Sequence, residues 1–288
     1  MEDDVIGVIG GSGLYELFDE PETRLIETPF GATSAPVSLG RMAGRRVAFL
    51  TRHGKNHSVA PHRINARANV WALRALGARA LVTSSAVGGL HDAYPPGTFV
   101  VTDQLIDRTD GRPGTFFDDE VQHLSFADPF DPVLRRTAIE ALARLGVPAK
   151  PTGTCVVIQG PRFSTRAESL AHRAAGGHTI NMTMAPEVAL ACELGMGVVN
   201  LSFVTDADAG VVPADAADAE GTTDRPGRAS DGSEPVTHAL VMERLAAANA
   251  TIVRAIEAIV AALPADYVPR ELVPAAASAA VLARRPAA

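Results

Sequence analysis

The sequence predicts a single α/β domain, with a central β-sheet flanked by helices. Apolar runs of strand length recur at residues 5–9, 46–50, 80–83, 99–102, 154–158 and 197–205, with helically spaced segments between them. That alternation is the pattern of a sheet covered by helices. A chain of 288 residues that is 47% hydrophobic but only 5% aromatic can fill one large aliphatic core. Neither an internal repeat nor a linker divides it. The domain is expected over residues 1–264, followed by a partly disordered tail at 265–288 that is loosely ordered beyond Pro274.

Taken in order, the strand at 5–9 follows an acidic Met-Glu-Asp-Asp start and runs into Gly10-Gly11-Ser12-Gly13-Leu14. The strand at 46–50 ends in Thr51-Arg52-His53-Gly54-Lys55-Asn56-His57. Ile64, Ala68, Trp71 and Ala75 give residues 64–76 a helical stripe, and Leu134, Ile139, Leu142 and Leu145 do the same for 132–145. Further helices are expected at 166–175, 186–195 and 236–263. The one break in composition is 213–235, rich in Ala, Asp, Gly, Thr and Ser, which reads as an inserted flexible surface loop.

Composition also removes whole classes of function. A net charge of −7 and a pI near 5.6, with no basic stripe, argue against affinity built on nucleic-acid phosphates. Cys155 and Cys192 both sit in apolar segments and read as buried thiols, so neither a disulfide framework nor a zinc site is indicated. The acidic start lacks the basic and apolar regions of a signal peptide. No run approaches the roughly 20 apolar residues that span a bilayer. A cytoplasmic protein acting on small molecules is expected, without membrane or nucleic-acid partners.

Four segments carry candidate chemistry. The glycine-rich turn around Ser12 could close backbone amides around an oxyanion, or be a plain tight turn. Arg52, His53 and His57 come directly off a buried strand; arginine offers a planar fork for phosphate and histidine a further donor. Pro61-His62-Arg63 could be the outer wall of that site or ordinary surface. Thr83-Ser84-Ser85-Ala86-Val87-Gly88-Gly89 again sets hydroxyls and glycines at an expected strand end. Three such ends together point to a free or terminal phosphate. The fourth segment, Thr205-Asp206-Ala207-Asp208, places two carboxylates two residues apart, on one side of an extended chain. Held close, each raises the other's pKa, and one can stay protonated at neutral pH. A metal site or helix-capping aspartates are the alternatives, and no His-rich or Cys-rich cluster accompanies the pair.

These motifs occur in a specific order together with Arg63-Ile64-Asn65-Ala66-Arg67-Ala68-Asn69-Val70-Trp71-Ala72-Leu73, Asp103-Gln104-Leu105-Ile106-Asp107-Arg108-Thr109, Gly160-Pro161-Arg162-Phe163-Ser164-Thr165-Arg166 and Asn181-Met182-Thr183-Met184-Ala185-Pro186-Glu187. In that order the chain resembles the trimeric purine nucleoside phosphorylases, in their methylthioadenosine phosphorylase branch, from about residue 5 to 210 and again from about 234 to 263. The resemblance implies a central twisted mixed β-sheet and a homotrimer. It also implies phosphorolysis of the N-glycosidic bond with no metal or organic cofactor, inorganic phosphate being a co-substrate.

By the same resemblance, phosphate would be held by Ser12, Arg52, His53, His57, Ser85, the Ala86 backbone and Thr183. Met182 would pack on the ribose and Phe163 near the base, and Asp206 and Asp208 would be catalytic at the purine edge. His123 would reach a neighbouring subunit's 5′ pocket, and His238 takes a 5′-facing position that is apolar in methylthioadenosine phosphorylases. Ala66, Met184 and the insertion at 213–233 depart from the family's pattern. The expected substrate is S-methyl-5′-thioadenosine or a related adenine nucleoside; a 6-oxopurine nucleoside is the alternative, and nucleoside hydrolysis a distant one.

Overall fold

The computed structural model describes residues 5–210 and 236–286. Strand β1 (Val5–Gly10) is buried along its whole length. Its neighbours β4 (Arg45–Thr51) and β5 (Ala78–Gly89) both run parallel to it. A strand covered on both faces needs a continuous apolar run, which Val5-Ile6-Gly7-Val8-Ile9 supplies. Beyond β4 the sheet continues antiparallel through β3 (Val37–Met42) to β2 (Glu22–Arg24). Beyond β5 it continues through β10 (Thr179–Asn181) and β9 (Thr154–Ile158) to β7 (Gln104–Arg108). A branch from β5 leads through parallel β11 (Gly197–Ala207) to β6 (Phe99–Val101) and β8 (Ala149–Lys150). The sheet is mixed, with eleven strands.

Alternation along the central strands sorts side chains into two cores. Val5, Ile9, Ala48 and Leu50 join one cluster, while Ile6, Val8, Val47 and Phe49 join the other. The first is covered by α1 (Ala66–Ala75), α4 (Met184–Glu193) and α6 (Ala275–Leu282), through Val70, Leu73, Val188, Leu190 and Val281. The second is covered by α2 (Pro132–Arg144) and α5 (His238–Ala262), through Leu134, Leu142, Ile252 and Ile256. Polar side chains set the helix starts. Asn65 accepts from the Ala68 amide, Asp131 from Val133 and Leu134, and Thr237 from Leu240. Thr165 and Glu168 form a reciprocal capping box on α3 (Arg166–Ala174).

Three expectations are corrected. Strand β5 does not end at Thr83. It runs on through Gly89, because β11 stays beside it to Ala207 and β10 pairs with Gly88 and Gly89. The tail beyond Pro274 is ordered as α6, which buries Ala277, Ser278 and Val281. Helix α5 is long and apolar enough to cross a bilayer by length and composition, contrary to the expectation that no such run exists. Within the fold it packs Leu245, Ile252, Ile256 and Ile259 into the second core, against α2 and β11. The segment 213–235 lies outside the described residues.

Trp71, the one tryptophan, is 8% exposed and its indole Nε1 donates to the Val281 carbonyl at 3.1 Å. Val281→Ala should lower unfolding stability by roughly 1–3 kcal/mol, through lost burial and a small cavity. Denaturant titration followed by Trp71 emission reads this directly. An unchanged midpoint would show that α6 contributes nothing to the core.

Candidate active site

A cavity of about 440 Å³ is walled by the turn after β1, the loop after β4, the second half of β5, the loop after β9, the β10–α4 junction, the end of β11 and the start of α5. Ser12, Arg52, His53, His57, Ser85, Ala86, Phe163, Met182, Thr183, Asp206, Asp208 and His238 all line it. His123 does not: it is exposed on the loop between β7 and α2, so within one chain it has no place in this pocket. Pro61 lines the cavity as well, while His62 and Arg63 face a second one of about 320 Å³ next to it.

At one end, Arg52 is 1% exposed and clamped. Its Nε and Nη2 donate to the two carboxylate oxygens of Glu187 at 2.7 and 2.8 Å, and Nη1 donates to the Ser84 carbonyl at 2.9 Å. Three of the guanidinium's five N–H bonds are thereby placed. After Arg52 the chain reverses through Gly54, Asn56 and His57, with φ of 68°, 54° and 57°. Left-handed non-glycine residues each cost on the order of 1 kcal/mol or more and persist only where their surroundings hold them. The reversal brings the His57 ring onto His53 at 4.2 Å, nearly parallel. Ser12 Oγ lies 3.4 Å from His57 Nδ1.

His53 corrects an expectation. Its Nδ1 donates to the Val59 carbonyl at 2.9 Å, and burial pushes its pKa down to about 3 against the support of that carbonyl. The ring is therefore neutral near pH 7 and its Nε2 is an acceptor. It cannot serve as the further donor that the sequence suggested. The Gly11 amide is likewise not open to an oxyanion, since it donates to Ser84 Oγ at 3.2 Å.

Ser85 is positioned by a residue that sequence reasoning missed. Asn200, at mid-strand in β11, donates to Ser85 Oγ at 3.0 Å and to Thr83 Oγ1 at 2.8 Å. Its own Oδ1 accepts from Thr102 and Ser202. Because Ser85 Oγ already accepts, its hydroxyl hydrogen is left to donate. The signal was an asparagine inside the apolar run 197–204, which must find partners when buried. Glu187 likewise carries no local signal of a role in the sequence, where it only closes the motif that begins at Asn181.

At the other end, burial, with a smaller push from the nearby Asp208 charge, raises the Asp206 pKa to about 6, against the opposing 2.6 Å hydrogen bond from Thr205 Oγ1. Burial raises the Asp208 pKa as well, and its Oδ2 has no hydrogen-bond partner among the described residues. Gly88 lets the two carboxylates approach β5: a Cβ there would stand 3.1 Å from Asp206 Oδ2 and 3.2 Å from Asp208 Cβ. Gly160, at φ +62°, does the same for Met182, whose sulfur would lie 2.5 Å from a Cβ. Phe163 remains 37% exposed at the rim. His238 heads α5 and sets its ring 5.0 Å from His57. Among the described residues, no group of three or more His, Cys, Asp or Glu side chains is placed to hold a metal ion.

Comparison with known proteins agrees with this geometry. The family model described as the phosphorylase superfamily matches residues 5–261. A purine nucleoside phosphorylase of Streptomyces coelicolor is 50% identical over 214 residues, covering 71% of this chain and 76% of its own length. An S-methyl-5′-thioadenosine phosphorylase of Thermofilum pendens is also 50% identical, over 211 residues, 72% of this chain and 80% of the relative. A solved structure of methylthioadenosine phosphorylase from Schistosoma mansoni in complex with adenine matches with a TM-score of 0.79 at 32% identity, over 90% of this chain and 91% of that one.

Asn200→Ala should strand several buried hydroxyls at once and lower stability by at least about 2 kcal/mol, since each buried group left unpaired costs about 1–3 kcal/mol. Urea unfolding measures it. A loss below about 0.5 kcal/mol, the range of ordinary surface substitutions, would mean that the network carries no weight.

Proposed function

The chain belongs to the phosphorylase superfamily, and we propose that within it this protein cleaves the N-glycosidic bond of a purine nucleoside with inorganic phosphate. The products are the free purine and a pentose 1-phosphate. The substrate is S-methyl-5′-thioadenosine or a related adenine nucleoside, in keeping with the S-methyl-5′-thioadenosine phosphorylases among its relatives. One observation carries the reading: a single cavity joins a cradle of donors at Arg52, Ser12 and Ser85 to a buried carboxyl, Asp206, that titrates near neutrality.

As the glycosidic bond stretches, positive charge grows on the ribose and negative charge on the purine. An anion held on one side and a proton donor on the other favour that charge separation over the ground state. Phosphate accepts from Arg52, Ser12, Ser85 and Thr183 and gives its own hydrogen to His53 Nε2. Protonated Asp206 donates to the purine N7, which contributes on the order of 10²–10⁴ in rate. Asp208 Oδ2, without a partner among the described residues, accepts from the 6-amino group. The raised pKa of Asp208 is also the observation that favours the second reading, a 6-oxopurine nucleoside, because a protonated Asp208 could donate to a 6-oxo group. Met182 and Phe163 bound the sugar and the base. Neither a metal nor an organic cofactor takes part.

His238 faces the 5′ end and can hydrogen-bond a 5′-hydroxyl, whereas a methylthio group offers no partner for it. The protein works as a homotrimer in which the exposed His123 enters a neighbour's pocket, and a measured solution mass other than three chains removes that part. The free, buried Cys155 and Cys192 suit the cytoplasm.

Adenine release from methylthioadenosine or adenosine should require phosphate; equal release in phosphate-free buffer would instead identify a hydrolase. Asp206→Asn should lower kcat by about 10²–10⁴. Because the folded pKa of Asp206 is raised, its donor form is lost as pH rises through about 6. Wild-type kcat/KM should therefore fall across that window, and the fall should be absent in Asp206→Asn under identical phosphate ionisation. Full activity in the variant rules out the acid role. His238→Val should raise the ratio of methylthioadenosine to adenosine efficiency, by about tenfold for one lost hydrogen bond. An unchanged ratio removes His238 from specificity.

A further inference from the structure

Glu187 touches neither end of the nucleoside-sized cavity, yet it holds Arg52, a cation buried in the cavity wall. It is 2% exposed and lines the second cavity, while Arg52 lines the first, so the ion pair forms part of the partition between them. Both carboxylate oxygens are used, on Nε and Nη2 of Arg52, and the Ser84 carbonyl takes a hydrogen of Nη1. Gly11 closes over the same nitrogen: a Cβ there would be 3.1 Å from Arg52 Nη1. A guanidinium fixed at three of its five hydrogens cannot swing. The two that remain, one on each terminal nitrogen, have their directions set by the protein and suit two oxygens of a tetrahedral anion.

We propose that Glu187 is a positioning residue for phosphate, orienting Arg52 so that its two remaining N–H bonds meet the anion. The inference rests on the phosphorolytic reading above. It makes the affinity for phosphate separable from that for nucleoside, since Glu187 lies behind Arg52 and lines neither Asp206 nor Met182. It also accounts for an arginine so deeply buried. Two-point contact with a carboxylate is the geometry in which a buried guanidinium is least costly, and removing one partner would leave the other charge uncompensated.

Steady-state kinetics on two variants tests the proposal. Glu187→Asp keeps the charge but retracts the carboxylate by one methylene. Glu187→Gln keeps the length but turns an amide N–H toward Nη2. Each should raise the phosphate KM by about tenfold or more while leaving the nucleoside KM within about threefold, because only the anion's donors are disturbed. The same variants should lose most of the thermal stabilisation that added phosphate gives the wild type. Should one variant fail to fold, the other decides. Equal increases in both KM values would mean general damage, and an unchanged or lowered phosphate KM would mean that Arg52 needs no orientation; either overturns the proposal. If the wild type itself shows no need for phosphate, it is the phosphorolytic reading that has failed, and the two failures are thereby told apart.

Discussion

The parallel ladder between β5 and β11 is the constraint on which the site depends. Ser202 lies opposite Ser85, and Asp206 lies opposite Gly88. Three residues at about 3.3 Å each separate the two positions, so the backbone itself sets Ser85 and Asp206 roughly 10 Å apart along the ladder. That separation suits a phosphate, a sugar and a purine laid end to end. The register also slips between Val204 and Asp206, leaving Thr205 as an extra residue. Such a bulge re-aims the side chains around it. Here the bulged Thr205 turns its hydroxyl onto Asp206 Oδ1 and the Val87 carbonyl, so that the irregularity satisfies its own polar groups.

Around this ladder, groups that could be charged are each paired, neutralised or shifted by the fold. Arg52 is balanced by Glu187, His53 is uncharged near pH 7, and burial pushes the Asp206 carboxyl up to about 6. A cavity arranged in this way has its dipoles aimed before the ligand arrives and little net charge to reorganise during the reaction. The supporting polar groups are themselves tied into networks: Asn200 connects four hydroxyls across β5, β11 and the end of β6. Fully satisfied networks of this kind make a polar core rigid.

Much of this was legible in the sequence, for local reasons. The six apolar runs read as strands because strands covered on both faces need uninterrupted apolar sequence, and the motif residues read as a site because hydroxyls, arginine and carboxylates stood beside those runs. What escaped was decided at long range. Ser84 to Gly89 reads as a turn on its own residues and becomes strand only because β10 and β11 lie beside it. Helix α6 is too short to be stable alone and forms where Trp71 and the first core receive it. Glu187 meets Arg52 across 135 positions, and Asn200 meets Ser85 across 115, separations that no local pattern records. The tautomer of His53 was set by the Val59 carbonyl, which only the fold places within reach.

The neutrality of His53 also bears on which anion the proposed site would prefer. With Nδ1 committed to Val59, the imidazole presents a lone pair, so an ideal ligand donates one hydrogen bond there and accepts the others from Arg52, Ser12 and Ser85. Hydrogen phosphate does both. Sulfate, which is fully ionised near pH 7, has no hydrogen to give and would set an oxygen against that lone pair, a buried acceptor left unpaired. The stacked His57 carries the same logic outward, because burial and the facing His238 both lower its pKa, which disfavours a second positive charge there. In the proposed site, selection would thus rest on the direction of hydrogen bonds as well as on charge, which is the means by which two tetrahedral oxyanions of nearly the same size can be told apart.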